Sequence, residues 1–296
     1  MPELPDVITY VSCLRTRIVG RRLERLGILS PFVLRTFEPA PEALEGRTIR
    51  GVRRLGKRIV LEFDDEYFAV IHLMIAGRFQ WLDGVRRRPP KIAQAVFEFN
   101  DAALVLTEAA KQKRAGVHVV EGCFGLAEHE RGGLDVLTAS TVDFAAVLRR
   151  ENHTLKRALT DPRAFDGIGN AYSDEILFAA RLSPLKLTSK LSDDEAARLH
   201  EAAKSVLNQW IEILGRRFAA KFPGPGEITA FRPEFATHGK FGQPCPVCGA
   251  PIQRIRYAET ETNYCAKCQT EGRVLADRSL SRLLKDDWPR SIDEWM

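Results

Sequence analysis

The 296-residue sequence contains no apolar run approaching the roughly 20 residues that cross a bilayer. It also lacks the basic-then-apolar opening of a secretory signal, because Asp6 interrupts the first apolar stretch. Membrane-spanning and exported classes are set aside, and the chain is expected in the reducing cytoplasm. Charge of one sign is in little excess: 44 Lys and Arg face 39 Asp and Glu, a net +5. That balance permits a polyanionic partner without demanding one. Cysteine is scarce, six residues in all, and four of them fall in a single pattern. What remains is ordinary globular material, 45% hydrophobic and 28% charged, long enough for two domains with separate cores.

The cysteine pattern is Cys245-Pro-Val-Cys248 and Cys265-Ala-Lys-Cys268, with sixteen residues between the pairs. Two such knuckles can hold four thiolates tetrahedrally around one zinc ion. Gly249 permits a tight turn after the first knuckle, which points backbone amides at the sulfurs. Two disulfides are the other use of four cysteines, and a reducing compartment disfavours them. With all four positions filled by protein, the metal is expected to support folding and to leave no open site for chemistry. Cys13 and Cys123 have no comparable partners and read as buried small hydrophobes.

The chain opens Met1-Pro2-Glu3-Leu4-Pro5. A small residue after the initiator favours removal of Met1, which would leave Pro2 with a free secondary amine. An α-amino group titrates at about 7.7–8, so part of it is unprotonated near neutral pH. Such an amine can attack a carbonyl-like carbon and form an iminium. Glu3 sets a carboxylate beside it to exchange the accompanying protons. Many proteins begin this way with no chemistry attached, so the pattern acquires weight only from the rest of the chain.

Three regions follow. From Pro2 to about Glu130, Val7, Val11, Leu14 and Ile18 recur at helical spacing, and Gly20 closes the helix. Strand-like stretches then run over 48–52, 58–63, 67–73, 95–99 and 103–107, with Asn100-Asp101 as a turn between the last two. One helix and many strands suggest a β-sandwich or flattened barrel. Arg86-Arg87-Arg88-Pro89-Pro90-Lys91 forms a basic loop. The second region, about Leu134 to Phe222, is helical. Ser192-Asp-Asp-Glu195 has the form of a capping box, and Leu199, Ala203, Val206, Leu207, Trp210, Ile213 and Leu214 make one apolar stripe. Gly167-Ile-Gly169-Asn170 is a turn in front of a helix beginning near Ala171, where backbone amides suit an anion. The third region, from about Pro223, holds a Pro/Gly-rich loop, the knuckles and a tail.

In their shared order, these elements resemble the formamidopyrimidine-DNA glycosylase and endonuclease VIII family of base-excision repair enzymes. The likeness runs from Pro2 to about Gln269. It takes in Pro-Glu-Leu-Pro, the Gly46…Arg53-Arg54-Leu55-Gly56-Lys57 hairpin, His72-Leu73 with Gly77, and Lys156. It continues through Asp166-Gly-Ile-Gly-Asn170-Ala-Tyr-Ser-Asp-Glu175 and His238-Gly239-Lys240 into the cysteines. The resemblance implies an α+β fold: an N-terminal β-sandwich with a flanking helix (2–130), a helix-two-turn-helix domain (131–235), a four-cysteine zinc-finger β-hairpin (236–270) and an extension (271–296). It implies a bifunctional DNA glycosylase with DNA-(apurinic or apyrimidinic site) lyase activity. Pro2 would attack the sugar carbon bearing the damaged base, and a Schiff base followed by β- and δ-elimination would cut the strand. Glu3 would move the protons and Lys57 would hold the phosphate beside the lesion. Lys156 and Asn170 would clamp phosphates around the flipped nucleotide, and Glu175 would orient the turn or terminus. The implied partner is damaged DNA, bound by a monomer without a nucleotide cofactor and, in a bacterium, near the nucleoid.

The departures from the family are also legible. The methionine that fills the hole left by the flipped base aligns with Ile75, although Met74 is adjacent. The usual Asp-Pro-Arg-Arg-Phe-Gly loop reads Lys111-Gln112-Lys113-Arg114-Ala115-Gly116. Lys113 or Arg114 remains to enter the stack, while Ala115 is too small for a wedge. The finger arginine aligns with Thr260, between Glu259 and Glu261, leaving Arg254 and Arg256 as replacements. Past Gly272, Leu280, Leu283, Leu284, Trp288 and Trp295 suggest a short amphipathic helix that packs back on the body. The alternative function is a zinc-dependent binder of damaged or abasic DNA that does not excise. The lesion depends on a pocket loop near Phe218 to Thr229 whose conformation composition does not reveal.

Overall fold

The computed structural model describes residues 1–84, 88–257, 260–277 and 290–295, without the side chains of Tyr257 and Trp295. Arg86, Arg87, Glu259, Leu280, Leu283, Leu284 and Trp288 lie outside the described residues, as does the Trp295 side chain. Two compact units are present: Met1–Arg131 with Trp210–Thr229, and Gly132–Gln209 with Ala230–Met296.

The first unit begins with helix α1, Leu4–Ile18, which buries Val7, Val11, Leu14 and Ile18. Gly20 ends it in the left-handed region, at φ +83°, where a side chain would be strained. Eight strands follow: β1 (Arg25–Ile28), β2 (Ile49–Leu55), β3 (Arg58–Phe63), β4 (Tyr67–His72), β5 (Gly77–Asp83), β6 (Ala93–Glu98), β7 (Ala102–Glu108) and β8 (Gly116–Glu121). They form two four-stranded antiparallel sheets, ordered β1-β6-β7-β5 and β2-β3-β4-β8. Inner strands carry near-continuous apolar runs: β4 buries Phe68, Ala69, Val70 and Ile71 between β3 and β8. The turn at Asn100-Asp101 closes with the Phe99 amide donating to the Ala102 carbonyl at 2.8 Å. A short helix α2, Gly122–Ala127, follows β8. Cys123 on it is exposed, contrary to the buried reading: it lies in the first turn of this short helix, and its thiol meets Glu66 Oε1 at 3.6 Å. Cys13 is buried as expected.

The second unit carries α3 (Thr141–Arg149), α4 (Leu155–Thr160), α5 (Asn170–Ala179) and most of α6 (Asp193–Arg217). Side-chain caps start several of them. Ser140 and Thr154 accept from amides in the first turns of α3 and α4. The box at the start of α6 is reciprocal: the Ser192 amide donates to Glu195 at 3.0 Å, and the Glu195 amide donates to Ser192 Oγ at 3.2 Å. Along α6, Leu199, Ala203, Leu207, Trp210 and Leu214 are buried.

The cysteine region forms a hairpin, β9 (Ile252–Tyr257) and β10 (Thr260–Cys265), and then a one-turn helix α7, Ala266–Thr270. The start of the extension belongs to the same core. Val274, Leu275 and Ile292 are buried together with Ile252, Tyr264 and Cys265. The Leu275 amide donates to the Tyr264 hydroxyl at 2.7 Å, and Asp277 accepts from the Arg256 amide at 2.6 Å. Helix, sandwich, helix-two-turn-helix and hairpin together give the α+β class expected from sequence.

Candidate active site and metal centre

The first charge cluster surrounds the chain's start. Pro2 is buried, and Glu3, only 3% exposed, sits at the N-cap of α1. The Glu3 amide donates to Asp6 Oδ2 at 2.9 Å, so two carboxylates occupy the positive end of the helix. Gly56-Lys57 make the two-residue turn between β2 and β3, with Leu55 paired to Arg58 and Gly56 at φ +62°. That turn carries a half-buried Lys57 close enough to act on the terminal amine. Burial holds the Met1 amine below its ordinary value of 8.0; Glu3 and Asp6 oppose this, while Arg78 and Lys57 reinforce it. The structure therefore brings the N-terminus, Glu3 and Lys57 into one neighbourhood. It adds Arg78 on β5, which the sequence reading did not single out. The only hint was a charge directly after Gly77.

The segment before β5 turns sharply. Met74 has φ +52°, and the Gly77 amide donates to the Leu73 carbonyl at 2.8 Å. A Cβ at position 77 would lie 2.2 Å from that carbonyl oxygen, so only glycine fits. At the tip Ile75 is 50% exposed while Met74 is half-buried, so Ile75 is the side chain offered to solvent.

The β7–β8 loop with Lys113 and Arg114 is pinned from within. Glu108, 1% exposed, accepts from the Arg114 amide through both carboxylate oxygens at 3.0 Å and from the Ala115 amide at 3.1 Å. Lys113 Nζ donates to the Glu108 carbonyl. Arg114 is tied to Gln112 at 2.7 Å, and Ala115 is buried at 1% exposure. Glu108 is a site-supporting residue the sequence reading missed, because the loop's anchor lies outside the six-residue motif.

In the second unit, Lys156, Asn170 and Glu175 join one buried polar network. Lys156 Nζ contacts Asp174 Oδ1 and the Asn170 carbonyl, each at 2.6 Å. Asp174 Oδ2 takes His238 Nδ1 at 2.7 Å and the Asn263 amide at 3.1 Å. Asn170 Nδ2 donates to the Glu261 carbonyl on β10 at 2.9 Å, and Glu175 accepts from residues 236–238. Lys156 and Asn170 thus spend side-chain donors on the protein itself. Arg254 is likewise engaged, 3.8 Å from Glu261 and 4.2 Å above the Phe241 ring, whereas Arg256 is exposed. Thr260 is exposed at the hairpin end.

The four sulfurs of Cys245, Cys248, Cys265 and Cys268 lie within 4.8 Å of one another, with 3.9 Å between Cys245 and Cys268 and 3.4 Å between Cys248 and Cys265. Zinc–sulfur bonds of about 2.3 Å require sulfurs about 3.8 Å apart, so the set fits one tetrahedral zinc. The Gly249 amide donates to the Cys245 carbonyl at 2.9 Å with φ +76°, closing the first knuckle. The fit supports one structural zinc, held by these four residues.

Comparison with known proteins matches the same three parts. Residues 1–114 match the formamidopyrimidine-DNA glycosylase N-terminal domain, residues 135–220 its H2TH domain, and residues 242–270 a zinc finger found in FPG and IleRS. The architecture is that of a two-sheet domain joined to a helix-two-turn-helix and a zinc-finger hairpin. The chain belongs to the formamidopyrimidine-DNA glycosylase family. It is 32% identical over 276 residues to a formamidopyrimidine-DNA glycosylase of Heliobacterium modesticaldum, covering 91% of this chain and 100% of the relative. A Symbiobacterium thermophilum relative is 33% identical over 288 residues, covering 94% and 93%. Among solved structures, the chain is similar to a Lactococcus lactis FPG mutant bound to Fapy-dG-containing DNA: TM-score 0.80, 26% identity, 91% of this chain and 100% of that one. The L. lactis protein bound to abasic-site DNA aligns equally well, with TM-score 0.80 at 26% identity over 90% and 99%. No helix among the described residues is long and apolar enough to cross a membrane.

Proposed function

We propose that this protein is a DNA glycosylase with abasic-site lyase activity whose nucleophile is the Pro2 amine. The observation that carries the reading is the charge arrangement at the chain's start. Pro2 is buried, and the Met1 amine ahead of it is held below its ordinary value by burial, with two carboxylates and two cations acting on it. Removal of Met1 passes the terminal amine to Pro2. Its lone pair then attacks the sugar carbon carrying the base, and the base departs with the bond electrons. Glu3, within the same cluster, gives a proton to the sugar ring oxygen as the ring opens to the iminium. The iminium acidifies the adjacent sugar C–H, so β-elimination releases the 3′ phosphate and δ-elimination the 5′ phosphate. Lys57 holds the phosphate beside the lesion. Lys156, Asn170 and Glu175 keep the helix-two-turn-helix and finger backbone in shape for phosphates, and Ile75, Lys113 and Arg114 enter the space of the flipped nucleotide.

Borohydride reduction on abasic-site DNA tests the reading. A covalent adduct is expected, lost in Pro2→Gly and in a protein extended ahead of Pro2. Buried Ala115 favours the alternative of a non-excising binder, since no aromatic side chain wedges at that position. A folded protein that binds abasic DNA yet never traps establishes that alternative. DNA complexes of the relatives contain Fapy-dG, an abasic site and an oxidised pyrimidine. A panel of those lesions defines the substrate range.

A further inference from the structure

The segment after the finger lies beyond the 242–270 zinc-finger match, yet it is built into the hairpin. Residues 272–275 and 290–292 clasp one another. The Val274 amide donates to the Arg290 carbonyl at 3.0 Å, and the Ile292 amide donates to the Gly272 carbonyl at 2.8 Å. Arg273 bridges Ser291 in antiparallel fashion, and Lys267 on α7 pairs with Asp293 at 3.5 Å. From this clasp the chain reaches β9. Asp277, 1% exposed, accepts from the Arg256 amide at 2.6 Å, on a strand whose one sheet partner among the described residues is β10. A charged acceptor fixes an open strand edge more firmly than a neutral one.

Arg256 is also the hairpin arginine whose side chain is unspent. Arg254 and Arg256 flank Ile255, which packs on the finger's core, so both arginines share the opposite face. Across the ladder from them stand Asn263 and Glu261. Glu261 gives its carboxylate to Arg254, 3.8 Å away, and the Arg254 guanidinium lies 4.2 Å above the Phe241 ring. Arg256 is exposed and makes no ion pair or side-chain hydrogen bond among the described residues. It stands beside the proposed phosphate contacts. Asn170 Nδ2 donates at 2.9 Å to the carbonyl of Glu261, the ladder partner of Arg256, and paired strands lie about 4.8 Å apart.

We propose that Arg256 is the finger's phosphate-binding residue, in place of Thr260, and that Asp277 of the extension is its positioning residue. This rests on the reading of damaged DNA as the partner, and not on Pro2 as the nucleophile. A free guanidinium attracts a phosphodiester, which a threonine hydroxyl does only weakly. Asp277 carries the opposite charge. As a bare anion it would repel the DNA backbone, and its removal would tighten binding. As the anchor of β9 it holds Arg256 in place, and its removal weakens binding. The two roles differ in sign.

Binding to a duplex with a stable abasic-site analogue, titrated across salt concentrations, tests the inference. Arg256→Gln is expected to bind about fivefold more weakly and to flatten the slope of log K against log salt by about 0.9, one phosphate contact. Arg256→Lys keeps the charge and should keep the slope. Asp277→Asn should weaken binding although it removes a negative charge, with faster exchange at the Arg256 amide and unchanged zinc content. In an Arg256→Gln background Asp277→Asn should cause no further loss. An unchanged slope in Arg256→Gln overturns the inference. So does Asp277→Asn if it tightens binding or weakens it equally in both backgrounds. Wild-type protein that binds the duplex without salt dependence contradicts the DNA reading, and the inference with it.

Discussion

Thr237 gives Glu175 two hydrogen bonds, from its amide and from its hydroxyl, each 2.9 Å to Oε1. The Ala236 and His238 amides add bonds of 2.7 and 2.9 Å, so one buried carboxylate gathers the backbone leading into the finger. Charge-assisted bonds of this kind are about twice as strong as neutral ones. In Glu175→Gln an amide group meets donors where an acceptor stood. The variant is expected to lose roughly 2–3 kcal/mol of stability, read by thermal melting, with faster amide exchange at 236–238.

Asp174 is the second anchor. Its side chain is fully buried, and it balances Lys156, itself only 11% exposed, while accepting from His238. Removing one partner of a buried pair strands the other charge. Asp174→Ala should cost about 3–5 kcal/mol by denaturant unfolding. Lys156→Met, which removes the charge and keeps an apolar stem, should cost less than Asp174→Ala.

Metal removal should act locally. Elemental analysis is expected to find one zinc per chain, lost in Cys268→Ser. Amide protection of β9 and β10 should then collapse while β3 and β4 keep theirs. Burial raises the Cys268 thiol to about 11 and Cys265 higher still in the absence of metal. Zinc binding must therefore displace protons, and retention of zinc should fall as the pH is lowered.

Acid should destabilise the first unit through its histidines. His72 and His118 are both lowered to about 4 by burial first, with Arg58 nearby and, for His118, the His129 ring at 4.6 Å. Above 6.5 folded and unfolded chains are alike neutral at these positions. Between 6.5 and 4 only the unfolded chain takes up the protons, so stability falls as pH falls and levels off below 4. His72 alone is worth roughly 3 kcal/mol across that window. Melting temperature against pH reads the slope, and His118→Gln should make it shallower.

The parts of the fold that declared themselves in the sequence are those with local causes. Zinc ligands are set by paired thiolates three residues apart, and α1 and α6 by an apolar stripe with a cap. The inner strands β3, β4, β6 and β7 were legible because they are largely apolar, and β2 was legible only over its first part, where Ile49 and Val52 are buried. Strands β1, β5 and β8 were not: β1 is only four residues long, and all three lie at sheet edges, as β2 does. In β5 the run Gln80-Trp81 is half-buried at both positions and breaks the alternation. Site residues divided in the same way. Pro2 and Glu3 are neighbours in the chain, whereas Arg78 depends on a carbonyl 150 positions away, and Asp174 on His238, 64 positions away. No spacing rule reaches across such distances.

The central claim is that the amine of residue 2 bonds covalently to sugar. Its most direct measurement is peptide mapping of the borohydride-reduced complex with abasic-site DNA. The account predicts one modified peptide, beginning at Pro2 without Met1 and carrying the sugar remnant on the proline nitrogen. An adduct on Lys57 or another lysine, with Pro2 unmodified, would contradict it.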